Sequence, residues 1–173
     1  MRSNLKMLGL GLTASWLGAS SLHPAHAEPI GKWWSGAGMG EIEHGYNRGD
    51  GTELMLSCSP DDLDRLRISI RINGREPINE FVVFSANGED FEFHADGYGT
   101  IETQSRASTN NIYFLFDAIK KADRLKVWFA PVSIYEGKTR LAGRKHSENL
   151  ARHSTTISLS GSAQALGAEI CGG

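Results

Sequence analysis

Between residues 65 and 72 the chain alternates strictly. Leu66, Ile68, Ile70 and Ile72 are apolar, while Arg65, Arg67, Ser69 and Arg71 are polar. A period of two with β-branched residues predicts a strand with one buried face and one face carrying the three arginines. Asn73-Gly74 follows as a turn. Upstream, Gly49-Asp50-Gly51 marks another turn. Glu53 to Cys58 then reads as a strand with Leu54, Leu56 and Cys58 on one side. Phe81-Val82-Val83-Phe84 and Phe91-Glu92-Phe93-His94 flank Asn87-Gly88, the dipeptide that two-residue hairpins favour. In that hairpin Phe91 and Phe93 point inward and Glu92 and His94 outward.

The period then changes. Ile112, Leu115, Phe116 and Ile119 fall at i, i+3, i+4 and i+7, one face of an amphipathic helix that ends near Lys121. Ser108 or Thr109 is its expected N-cap. Leu125 to Phe129 returns to strand, stopped by Pro131. Tyr135 to His153 is a long polar stretch, expected to be partly helical around Ser147 to Ala151. Thr156 to Leu159 is a last strand. Ser162 is expected to cap a short terminal helix with Ala163, Leu166 and Ile170 facing the core. The segment 28–51, rich in glycine and holding Trp33 and Trp34 side by side, reads as an irregular entry with a first strand around Met39 to His44. Together these elements predict an α+β domain: an antiparallel β-sheet or sandwich with one or two packed helices.

The first 27 residues stand apart. Arg2 and Lys6 precede an uncharged run from Met7 to Leu22, and Pro24 breaks it just before Ala25-His26-Ala27. That order is a secretory signal peptide with a small-x-small cleavage site. The expectation is therefore a leader at 1–27 and a single exported domain at 28–173, periplasmic or secreted, with no membrane span after cleavage. The leader takes two of the 18 basic residues and none of the 20 acidic ones, which leaves a mature balance of −4. Such a balance argues against nucleic acid or anionic lipid as the partner.

The two cysteines, Cys58 and Cys171, are about 113 residues apart. In an oxidising compartment an isolated pair reads as one disulfide. Closing so long a loop is worth roughly 4–5 kcal/mol in the chain-entropy treatment.

From Ile112 onwards a helix (Phe114 to Lys121) precedes a strand (Leu125 to Phe129). Ile157-Ser158-Leu159-Ser160-Gly161-Ser162 then leads to Ala165-Leu166. This arrangement, with the earlier Leu54-x-Leu56-Ser57-Cys58, resembles the C-terminal half of invasion-associated locus B-like periplasmic proteins. Small periplasmic immunity proteins, which protect a bacterium against secreted effectors, have a similar look. The resemblance implies an exported protein that works without catalysis.

Candidate chemistry is sparse. His44, His94, His146 and His153 show no zinc spacing, and Asp61, Asp62 and Asp64 do not complete a calcium loop. Ser160-Gly161-Ser162 lacks the nucleophile-elbow pattern. Glu89 and Asp90 read as a charged hairpin edge, and the arginine face as a polar surface paired with Glu92 or open to an acidic partner. No cofactor and no metal is expected. These readings favour a non-enzymatic protein-binding module, an inhibitor or immunity protein that neutralises another protein. The alternatives are an envelope or virulence factor of the invasion-associated kind, and a hydrolase whose site assembles only in three dimensions. Residues expected at the partner surface are Trp33, Trp34, Tyr135, Arg140, Arg144, Lys145 and His146, because exposed aromatics beside arginine are what interfaces favour. The sequence leaves open whether the protein is a monomer or a dimer.

Overall fold

The computed structural model describes residues 29–38, 40–103 and 105–167; the expected leader and Cys171 lie outside the described residues. Strands β1 (Trp33–Gly38), β2 (Glu41–Asn47), β3 (Glu53–Ser59), β4 (Asp62–Arg71) and β7 (Thr100–Glu102) form one sheet in the order β1-β2-β3-β4-β7. Strands β5 (Phe81–Ala86), β6 (Glu89–His94), β8 (Arg124–Ala130) and β9 (His153–Ser158) form a second, in the order β6-β5-β8-β9. The named strand pairs are all antiparallel. Three helices, α1 (Arg106–Lys121), α2 (Arg140–Asn149) and α3 (Ser162–Leu166), complete an α+β fold.

The alternation in β4 behaves as its period requires. Leu66, Ile68 and Ile70 are buried together with Leu54 and Leu56 of β3. They share one core with Val82, Phe84, Phe93, Val127 and Phe129 of the second sheet and with Ile112, Leu115, Phe116 and Ile119 of α1. Phe91 is only partly buried against it. Asn87 and Gly88 both take positive φ, 51° and 84°, as a type I′ turn demands.

Helix α1 begins earlier than the apolar spacing suggests. Ser105 is its N-cap, and Ser108, an expected cap, sits at the third helical position and closes a capping box back onto Ser105. Lys120 and Lys121 in the last turn complement the helix dipole. In α3, Ser162 is buried and donates its hydroxyl to Ile119 O at 3.0 Å, while Ala163 faces outward.

Two segments differ from expectation. The strand expected around Met39 to His44 is present as β2, but the glycine-rich entry before it is not irregular: it forms β1, paired with β2 in register from Trp33↔Tyr46 to Gly38↔Glu41. Its glycines make room for a ring. A Cβ on Gly45 would lie 2.5 Å from the Trp34 indole, so the indole lies directly on the β2 backbone. Trp33 points the other way, into the core, and donates from Nε1 to Ser158 O at 2.9 Å. Arg48, just past β2, reaches the same strand, donating to Thr155 Oγ1 at 2.8 Å and to Thr156 O at 3.5 Å.

The second difference is the polar stretch after Pro131, which folds into a turn and α2. It covers the outer face of the second sheet, where Val83, Trp128 and Ala130 are buried against Ile134. This explains why β5 and β8 carry continuous apolar runs: both faces of that sheet are covered. Gly143 permits the fit, since a Cβ there would stand 2.1 Å from Ile134 O.

Candidate functional site

The two sheets present opposite situations on their outer faces. On the second sheet, residues 133–150 form a strap whose anchors are polar. Glu92 accepts from Ser133 Oγ and Ile134 N, both at 2.6 Å. Trp128 Nε1 donates to Ser147 Oγ at 3.2 Å. Arg144 lies 3.3 Å from the buried Asp90 carboxylate and 3.3 Å from Ser85 Oγ. Arg140 donates to Asp90 O at 3.1 Å, and Lys126 pairs with Glu148. Away from the sheet the strap exposes Tyr135 and Leu141, with Lys138, Lys145 and His146 beside them in the sequence.

Among the described residues the first sheet has no such cover. Its outer face carries a row in register across all five strands: Trp34, Gly45, Met55, Ser69 and Thr100. Trp34, Met55, Ser69 and Thr100 of that row line a trough of about 350 Å³ that reaches Tyr98, which is 86% exposed. A second hollow of about 440 Å³ adjoins it and shares Glu53, Arg71 and Glu76. Ion pairs flank the trough on both sides. On one side Arg71 binds Glu76 at 2.9 Å and Glu53 at 3.4 Å. On the other, Arg67 reaches from β4 past β3 to Glu41 at 3.6 Å and also meets Glu102, which Arg65 holds at 2.9 Å. The Arg65 hydrogen bond holds the Glu102 carboxyl below its ordinary pKa.

The Tyr98 rim is fixed by its loop. Asp96 Oδ1 accepts from Tyr98 N and Thr100 N at 2.8 and 2.9 Å. Gly99, at φ 74°, rests on Glu76, where a Cβ would come within 2.9 Å. Trp34 is held differently. Its Nε1 is buried and finds no hydrogen-bond partner among the described residues, whereas Trp33 and Trp128 are satisfied. An orphaned buried donor costs about 1–3 kcal/mol, so steric fit onto Gly45 places this indole against that cost.

The expected partner residues therefore separate. Trp33 is core. Arg140 and Arg144 hold α2 to the sheet. Tyr135, Lys145 and His146 are exposed on the strap, and Trp34 lines the trough on the other sheet. The arginines of β4 are neutralised by carboxylates of their own face, and Glu92, the partner expected for them, instead anchors the strap. Tyr98 reads from the sequence as an exposed aromatic like Trp34, but Met55, Ser69 and Thr100 were missed as one surface with them; only knowledge of the register could have aligned them. The histidines are scattered: His44 Nδ1 lies 2.9 Å from Ala165 O, His94 stacks edgewise on Phe81, and His153 on Phe129. Among the described residues no group of three or more His, Cys, Asp or Glu side chains could hold a metal ion. Nor is any described helix long and apolar enough to cross a membrane. Cys58 is buried in β3.

A family model named YfjT matches residues 31–166, nearly the whole described span. The chain belongs to the YfjT family. The YfjT match takes in both sheets, the strap and the trough, so these features sit within the family domain and not in an appendage. No curated protein and no solved structure matches the chain.

Proposed function

We propose that this protein is an exported binding module that engages another protein without turning over a substrate, in the manner of periplasmic inhibitors and immunity proteins. A leader at 1–27 takes it to an oxidising compartment, where Cys58 and Cys171 bridge. The observation that supports this reading most is the strap. It exposes an aromatic side chain on a turn anchored by Glu92, and aliphatic and basic side chains on a helix whose inner side is anchored by Asp90, Trp128 and Lys126. A surface already ordered before binding loses less conformational freedom on association, and its charges favour a partner with an acidic patch.

The test is a pull-down of the exported protein with mass spectrometry, followed by calorimetry on the captured partner. Leu141→Asp and Lys145→Glu change exposed positions, so affinity should fall at least about tenfold, or roughly 1.4 kcal/mol, while the melting temperature holds. Unchanged affinity in both variants would remove the strap as the interface. Hydrolysis of a peptide or cell-wall substrate by the pure protein, abolished by one point substitution, would overturn the reading altogether. Arg140 and Arg144 are unsuitable probes, because their loss would loosen α2 itself.

A further inference from the structure

The trough on the uncovered sheet lies apart from the strap and is left unused by the reading above. We infer that it binds a neutral polysaccharide strand, with the apolar faces of the sugar rings on Trp34 and Tyr98 and their hydroxyl edges toward the flanking ion pairs.

Four observations point to that chemistry. The first is shape. The row from Trp34 to Thr100 crosses five strands, so at ~4.8 Å per strand spacing it runs about 19 Å, which suits an extended chain better than a compact small molecule. The second is what the face offers. Strands β2, β3 and β4 are internal to the sheet and pair on both sides, so their backbone groups are committed to each other. An extended peptide binds a sheet by adding a strand at an edge, and that route is closed on this face. Only side chains project: an indole, a phenol, a thioether, hydroxyls, and carboxylates clasped by guanidinium groups.

The third is charge. Three arginines are set against Glu41, Glu53, Glu76 and Glu102 in mutual pairs. An anionic polymer would meet a surplus of carboxylate, and a cationic one would have to displace arginine. Paired in this way, the same groups remain fixed donors and acceptors for hydroxyls, and a pyranose ring brings hydroxyls at its edge and C–H groups on its face. The electron-rich face of an indole or phenol attracts such C–H groups. The fourth is Trp34. Its ring sits against Gly45 although its N–H has no partner among the described residues, and the core gains nothing from it, because Trp33 supplies the inward ring. Departures from local satisfaction concentrate where function requires them.

Calorimetry of the purified protein with cellohexaose, chitohexaose and maltohexaose tests the inference. At least one should bind with Kd near or below about 1 mM. Its affinity should be nearly the same at low and high salt, since no charged groups are newly paired. Tyr98→Ala, at a position 86% exposed, should weaken binding about tenfold or more with the melting temperature unchanged. Trp34→Phe should keep most of the affinity and Trp34→Ala should lose it. Leu141→Asp on the strap should leave saccharide binding intact, which separates this site from the protein interface. Absence of binding by all three oligosaccharides at millimolar concentration would overturn the inference. So would binding that survives both Tyr98→Ala and Trp34→Ala, or that collapses with salt. Loss of affinity for the captured protein partner in Tyr98→Ala, without any saccharide binding, would reassign the trough to protein.

Discussion

Replacing Gly143 by alanine sets two effects against each other. Alanine favours a helix over glycine by about 1 kcal/mol, so on propensity alone α2 would become more stable. Against this, the new methyl would sit 2.1 Å from Ile134 O, 2.9 Å from Ile134 C and 3.4 Å from Glu136 O. These are backbone atoms in a turn that Glu92 grips through Ser133 and Ile134, so they cannot swing aside as a side chain tip would. Relief requires α2 to withdraw by more than about 1 Å, and a gap of 0.5–1 Å already forfeits a quarter to a half of a van der Waals contact. The contacts at stake are those of Trp128 and Val83 beneath the strap, together with the Trp128–Ser147 hydrogen bond, worth about 1 kcal/mol. Overpacking in a closed site typically costs about 1–3 kcal/mol. The clash therefore outweighs propensity, and the net loss should be about 1–3 kcal/mol, or roughly 3–10 °C in melting temperature for a domain of this size. The assay is thermal unfolding together with amide exchange. Amides of residues 140–150 should lose protection while those of β3 and β4 keep theirs. Ala142→Gly, an exposed position on the same helix, isolates the propensity term and should cost about 1 kcal/mol. A Gly143→Ala variant as stable as the parent, or more so, would refute the close approach and with it the strap as described.

Two further predictions concern the Arg48–Asp50 ion pair and the proposed Cys58–Cys171 bridge. Asp50 is held at a pKa of about 2, first by the hydrogen bond from Arg48, so whatever it contributes to stability is present above the ordinary carboxylate value near 3.9 and disappears as pH falls through 2; Glu102, lowered by Arg65, acts in the same direction. Carboxyl NMR titration should find Asp50 well below the ordinary value in the parent and returned toward it in Arg48→Gln, and an ordinary value in the parent would contradict the pairing. Intact mass of non-reduced exported protein should show Cys58 and Cys171 without free thiols, and replacing either cysteine should lower the melting temperature while leaving the sheets in place; two free thiols would discard the bridge.

How far the sequence could be read depended on the range of the forces involved. Strand β4, the Asn87-Gly88 turn and the apolar face of α1 are local patterns, and each was legible. The N-cap was missed because Ser105, Ser108 and Thr109 are equally good caps in isolation, and the choice among them rests on where the helix axis meets the core. Strand β1 was opaque, and β2 was only partly anticipated by the strand expected around Met39 to His44, because glycine disfavours strands intrinsically, and Gly45 makes sense only once the Trp34 ring lies on it. The strap was hidden for the opposite reason. Its own composition is polar, and its cause sits elsewhere, in the Val82-Val83 and Trp128-Phe129-Ala130 runs that need a second cover. The trough is less legible still: its floor takes one residue from each of five strands, and register is a tertiary property.

The bonds from Trp33 and Arg48 to β9 also bear on the order of assembly. They join residues 125, 107 and 108 positions apart, among the most distant connections in the chain. Polypeptides emerge from synthesis N-terminus first, so β1 and the end of β2 are complete long before their acceptors at Thr155, Thr156 and Ser158 exist. Until then the Trp33 indole, which ends in the core, has no Ser158 carbonyl to receive its N–H. Joining of the first sheet to β9 of the second must wait for nearly the whole chain, a topology that slows folding through loop-closure entropy. An incomplete chain therefore exposes an indole meant for the core, and exposed apolar surface of that kind favours aggregation.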